Sequence, residues 1–149
     1  VLSLHQLFEL IPQKPPFRFV DRLTEIDDEH VVGEYRFRPD ESFYAGHFPG
    51  FPVTPGVILV ECMGQTAFAL PLWLLSNEAA SDAADLVMVL TESSVEFERI
   101  VRPGDAVRAT ARKVFWRRRK LKTEVELMLL DGSPVARGTI GGMAVRRGS

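Results

Sequence analysis

Cysteine is almost missing from this 149-residue chain. Its single representative, Cys62, excludes an intrachain disulfide and any multi-cysteine metal site within one chain. Standing beside Glu61 in an apolar stretch, it reads as a small buried hydrophobe rather than a reactive thiol. A charge imbalance is missing too. The 18 basic and 20 acidic residues leave a net charge of −2, with no global pull towards nucleic acid or anionic lipid. The first residues show no signal peptide, so the expected setting is reducing and cytoplasmic. The chain opens on Val1 and not on methionine, and its start is therefore expected to be processed or trimmed. What remains is an ordinary globular composition, 46% apolar and 26% charged, and residues 1–149 read as one domain with a sizeable core.

Long apolar runs are scarce, and the one exception organises the rest. From Val57 to Leu75 almost every side chain is apolar, and Glu61 is the only carboxyl group. Thr54 suits an N-cap and Pro55 the first helical position. A helix apolar all round is buried all round or lies in a membrane. Glu61, Gln65 and Pro71 speak against a membrane span, which leaves a core helix wrapped by other elements. A buried carboxyl needs a partner or a proton, and Gln65, one turn on from Glu61, can supply a hydrogen bond. The Gly/Pro-rich linker ahead of the helix carries His47, so His47 and Glu61 are a candidate base and acid. Spacing alone equally allows a satisfied core Glu and a loop His.

Around this helix the chain alternates short elements. Ser3 to Ile11 reads as an amphipathic helix with Leu4, Leu7, Phe8 and Ile11 on one face, Ser3 as its cap and Pro12 as its stop. Phe17 to Ile26 reads as a strand. In the next strand Val31, Gly33, Tyr35 and Phe37 alternate with Val32, Glu34, Arg36 and Arg38. His5 and His30 fall on polar surfaces. Ser76 to Asp85 reads as a mobile loop. Beyond it come extended runs over Leu86–Val101, Ala106–Trp116, Leu121–Leu130 and Pro134–Val145, with turns at Arg102-Pro103-Gly104-Asp105 and Asp131-Gly132. Gly138, Gly141 and Gly142 mark bulges or close backbone approach. One apolar helix early and hairpin-linked strands late make an α+β domain with an antiparallel sheet curled over the helix.

Gly46-His47-Phe48-Pro49-Gly50-Phe51-Pro52-Val53, followed by Pro55-Gly56-Val57 and Glu61-Cys62-Met63-Gly64-Gln65, resembles the signature of the hot-dog-fold β-hydroxyacyl-[acyl-carrier-protein] dehydratases. The likeness extends from Ile11-Pro12 through Phe17-Arg18-Phe19-Val20-Asp21-Arg22 to Val101-Arg102-Pro103-Gly104-Asp105, and more weakly to the C-terminus. It implies a hot-dog fold and dehydration of a (3R)-hydroxyacyl thioester to a trans-2-enoyl thioester, with His47 as base and Glu61 as proton donor to the leaving oxygen. That chemistry needs one base and one acid and neither a metal nor an organic cofactor. Gly56, at the N-terminus of the core helix, is the implied donor to the thioester oxygen. Gln65 is the implied support, and Phe43, Tyr44, Phe48, Pro55 and Gly64 the implied lining of a substrate tunnel. The implied partners are an acyl carrier protein and a second copy of the chain, each site pairing His47 of one protomer with Glu61 of the other, and further a trimer of dimers.

A glutamate acid in a Phe-Pro-Gly-Phe-Pro setting points to the simple branch of the family, not to the branch that also isomerises the double bond. Departures bear on substrate length and docking. Gln13-Lys14-Pro15-Pro16 replaces a stretch that is often His-Arg-Tyr-Pro, Cys62 and Gly64 stand where alanines are usual, and Glu92-Ser93-Ser94-Val95-Glu96 is unusually acidic. A polyketide or unusual-lipid pathway, a hot-dog acyl thioesterase and an idle binding subunit are the alternative readings. The seven positive residues between Arg112 and Lys122 fit either a solvated hairpin tip or, in Arg117, Arg118, Arg119 and Lys120, a dock for an acidic carrier protein. Nucleic-acid binding needs such charge over a wider face.

Overall fold

Clean alternation of apolar and polar residues produces most of the sheet. In β5 (Lys120–Leu129), Leu121, Thr123, Val125 and Leu127 are buried while their neighbours face outward. The same period runs through β2 (His30–Arg36) and β4 (Ala106–Arg117). With β1 (Arg22–Ile26), β3 (Leu86–Phe97) and β6 (Pro134–Arg146) they form one antiparallel sheet in the order β1-β2-β4-β5-β6-β3. The computed structural model describes residues 2–78 and 82–148. Register shifts between Leu23 and Glu25, Leu90 and Glu92, Lys113 and Phe115, and Leu127 and Met128 bend the sheet into a wrap.

The wrap encloses the core helix, which packs on β4, β2, β5 and β3. By length and composition Gly56–Ser76 would suffice to cross a membrane, but 67% of its most apolar window is buried inside the fold, which makes it a core helix. It is not quite continuous. It runs as α2 (Gly56–Ala67) and α3 (Ala69–Ser76), after α1 (Leu4–Leu10), with Phe68 between them at φ −77° and ψ −5°. Pro71 accounts for the break, since it has no N–H for the Ala67 carbonyl and its ring crowds that group. Sheet and helix approach closely at Gly33, where a β-carbon would meet Thr66 Oγ1 at 2.6 Å.

Several expectations need correction. Phe17–Val20 belongs to no strand, because its backbone is held by the Gln65 side chain and not by a neighbouring strand. Thr54 is not a helix cap: its hydroxyl is 2.6 Å from the Tyr44 hydroxyl, and Pro55 stands at the cap position, one residue before the helix. Val32, expected on the polar face of its strand, is buried, while Glu34 stays on that face and is covered by its cross-strand neighbours Arg22 at 2.6 Å and Arg108 at 2.9 Å. The burial of Glu34 pushes its carboxyl up, and the two guanidiniums outweigh that and hold it below the usual range.

The remaining turn and cap chemistry is as expected. Ser3 and Gln6 form a reciprocal capping box on α1. Gly104 and Gly132 take φ of 90° and 91° in their turns. Gly138 and Gly142 lie where the Ser94 backbone and the Phe68 ring leave no room for a side chain. His30 is a surface group, 2.9 Å from Asp27 and 3.2 Å from Glu25. Burial pushes the Cys62 thiol far up, consistent with an inert core residue. Of the expected mobile loop, residues 79–81 lie outside the described residues; α3 continues through Ser76, and Asp82–Asp85 form a 3-10 turn.

Candidate active site

The Gly/Pro linker holds His47 by its own backbone. Phe48 and Phe51 exchange two hydrogen bonds of 2.9 and 2.8 Å, Gly50 takes φ 74°, and the Val53 N–H donates to the His47 carbonyl at 2.9 Å. The imidazole is half-buried and stacks on Phe48 with ring centres 4.0 Å apart. Its Nδ1 lies 2.8 Å from the Val53 carbonyl oxygen. A carbonyl can only accept, so Nδ1 carries a proton, and the lone pair of the neutral ring is the one at Nε2. That is the form a general base requires.

Glu61 sits in the second turn of α2 and is half-buried in the single chain, not fully enclosed as its apolar neighbourhood implied. One oxygen accepts a 2.9 Å hydrogen bond from Gln65 Nε2. Gln65 is only 1% exposed and is itself fixed: Nε2 also donates to the Phe17 carbonyl at 2.9 Å, and Oε1 accepts from the Phe19 N–H at 2.7 Å. The amide orientation is therefore dictated by two backbone groups, and the acid is aimed by a group that cannot turn. The other oxygen, Oε1, has no hydrogen-bond partner among the described residues.

Among the described residues no hydrogen bond or ion pair joins His47 to Glu61 within one chain. Nor do the expected tunnel residues share one cavity. Phe43 and Ile58 border an open cleft of about 730 Å3 together with Phe17 and Phe19. Tyr44 and Phe48 border another of about 430 Å3. Pro55 stands at the helix start and Gly64 is buried. Gly56 begins α2, where the first backbone N–H groups have no intrahelical partner. Arg117–Lys120 form the exposed β4–β5 hairpin tip, with Arg118 and Arg119 at φ 51° and 64°. The Phe17 carbonyl and Phe19 N–H are site components that no residue pattern announced.

A FabA-like family model matches residues 11–139, which spans the linker, the core helix and most of the sheet. The chain belongs to the FabA-like family. It is 37% identical over 148 residues to the 3-hydroxyacyl-[acyl-carrier-protein] dehydratase FabZ of Rhizobium rhizogenes, covering 95% of this chain and 87% of that one. It is 34% identical to the FabZ of Streptococcus uberis, covering 94% and 96%. In fold it is similar to the dehydratase heterocomplex ApeI:P of Xenorhabdus doucetiae, with a TM-score of 0.74, 13% identity and coverage of 95% and 91%. It is likewise similar to the thioesterase HI1161 of Haemophilus influenzae, with a TM-score of 0.68, 12% identity and coverage of 100% and 94%. At such identities these two structures speak to the hot-dog fold alone. The family expected from the linker motif is thus the family found.

Proposed function

We propose that the protein dehydrates (3R)-hydroxyacyl thioesters carried on acyl carrier protein to trans-2-enoyl thioesters, in fatty-acid or related acyl-chain synthesis. The observation that carries this reading is the pair of anchored groups: Val53 leaves His47 with a free Nε2, and Gln65 leaves Glu61 with a free oxygen. His47 Nε2 takes the proton from C2, the C3–O bond breaks, the C2=C3 double bond forms, and Glu61 protonates the departing hydroxyl as water. Charge that builds on the thioester oxygen is met by the N-terminus of α2 and the Gly56 N–H. The FabZ relatives support this direction of chemistry over thioester hydrolysis.

The site is built across a homodimer in this reading, His47 from one protomer and Glu61 from its partner. Support comes from the unpaired edge of the twelve-residue strand β3 and from the apolar side chains around it and the linker. Val57 is 76% exposed, Phe51 54%, Leu90 50% and Phe97 46%, an apolar surface too large to leave wet. A second copy covers it and brings Phe43, Tyr44, Phe48, Pro55 and Gly64 to one tunnel. A trimer of dimers is the larger assembly the family likeness favours. Arg117, Arg118, Arg119 and Lys120 form the carrier-protein dock. Two arginines in the left-handed region cost about 1–2 kcal/mol each where Asn-Gly would cost nothing, so the turn keeps charge at the expense of strain. The cell compartment is cytoplasmic in this reading.

The test is incubation with crotonyl and 3-hydroxybutyryl carrier-protein thioesters. Interconversion of the two is expected. Free thiol would replace the reading by hydrolysis, and no change by an idle binding protein. Glu61→Gln and His47→Ala should each lower turnover by at least about a hundredfold with the fold intact. Near-normal turnover of either variant would remove that residue from the mechanism.

A further inference from the structure

The helix face that carries Glu61 and Gln65 continues through Phe68, Ala69 and Leu72. Phe68, Ala69 and Leu72, with Ile11, Pro12 and Met88 and the polar residues Gln13 and Gln65, line a small cavity that begins at Gln65, one turn from the acid. Its volume is about 10 Å3, close to the least that holds a single water. Phe68 is its bulkiest wall. The ring is 9% exposed and wedges between the helix and β6, where a β-carbon on Gly142 would come within 2.6 Å of it and one on Gly64 within 3.9 Å. Gly142 is thus the seat that lets an aromatic ring occupy this position.

Given the dehydratase reading, on which this inference rests, Glu61 stands at C3 of the substrate, and the apolar tail from C4 onward needs an apolar wall, which the helix face beyond Gly64 and Gln65 offers. Phe68 lies seven residues further, roughly 10 Å along the helix axis, and its side chain slants back towards the acid. We propose that Phe68 is the acyl stop of this enzyme and that its preferred substrates are short-chain 3-hydroxyacyl thioesters. A tail longer by several methylenes meets the ring and finds no space beyond it.

The test compares kcat/KM for 3-hydroxybutyryl and 3-hydroxydecanoyl carrier-protein thioesters in the wild-type protein, Phe68→Ala and Phe68→Leu. Wild type should favour the butyryl substrate by roughly tenfold or more. Phe68→Ala should raise the decanoyl-to-butyryl ratio by at least about tenfold, and Phe68→Leu should move it the same way by less. The ratio is internal to each preparation, so a partly unfolded variant does not distort it, and Phe68→Leu decides should Phe68→Ala fail to fold. A wild type that favours the decanoyl substrate, or wild-type ratios in the variants, overturns the acyl stop and leaves the dehydratase reading standing. No turnover of either substrate by wild type overturns both.

Discussion

Replacing Gln65 by leucine keeps the side-chain volume nearly constant and removes three hydrogen bonds at once. The Phe19 N–H loses its 2.7 Å acceptor in a fully buried setting, the Phe17 carbonyl loses a 2.9 Å donor, and Glu61 loses its 2.9 Å donor. A buried donor left unsatisfied costs about 1–3 kcal/mol. The Phe17 carbonyl is half-buried on a chain segment whose side chain is 48% exposed, so water restores part of its bond and the loss there is about 0.5–1.5 kcal/mol. Together these give roughly 2–4 kcal/mol, or a melting shift of about 5–15 °C for a chain of this size. Turnover should fall as well, roughly tenfold or more, because the acid is no longer aimed, while KM changes little. Denaturant melts at fixed protein concentration give the first number and steady-state kinetics the second. A double-mutant cycle separates the two roles. In a Glu61→Gln background, Gln65→Leu should still destabilise the fold but should lower kcat scarcely further. A Gln65→Leu protein that loses less than about 1 kcal/mol and keeps its kcat would refute the argument that the Gln65 amide holds both the Phe17–Phe19 backbone and the acid.

Subunit mixing tests the shared site: equal amounts of His47→Ala and Glu61→Gln chains, re-paired at random, should regain roughly a quarter of wild-type activity, whereas no recovery after verified exchange would place both groups in one chain. Replacing Arg117, Arg118 and Arg119 should raise KM for carrier-linked substrate, less so in high salt, and leave small thioesters nearly unaffected; equal losses on both substrates would mark a solvated hairpin. His30 is held above its ordinary range, chiefly by the hydrogen bond to Asp27 and next by Glu25. Its contribution is therefore fully present below the unfolded histidine value of about 6.5 and fades as pH rises through the folded one, so His30→Gln should cost a few tenths to 1 kcal/mol in melts at pH ~5.5 and less at pH ~8, and an equal cost at both would remove the ion pair from the account.

What could be read from residues alone was whatever a residue type enforces locally. Prolines and glycines of the linker fix the backbone that carries His47, and the alternation of Leu121, Thr123, Val125 and Leu127 fixes which face of β5 meets the core. The errors fall where a side chain took over a job usually done by backbone. Phe17–Val20 has the composition of a strand, yet its hydrogen bonds go to Gln65, forty-six residues away from Phe19. Thr54 has the chemistry of a cap, yet its hydroxyl is engaged by Tyr44. Val32 is a separate case: it alternates onto the outward face with Glu34, yet it is buried. Neither the Gln65 nor the Tyr44–Thr54 pairing leaves a periodic trace, because each joins residues well apart in sequence through a side chain.

The same limit explains what was seen and missed at the candidate site. Glu61 and Gln65 stand one helical turn apart, so their contact follows from the helix alone. The two backbone groups that lock the Gln65 amide belong to a segment before the first strand, and only the fold brings them there. Phe68 is the extreme case. As one apolar residue among many in the most apolar helix, it carries no signal; only the fold places it at the kink before Pro71, against Gly142 of β6 and on the wall of the small cavity that Gln65 also lines. If Phe68 is the acyl stop proposed above, a glycine on one strand and a proline in the helix set how much room the acyl tail finds, and neither of them touches the reacting atoms.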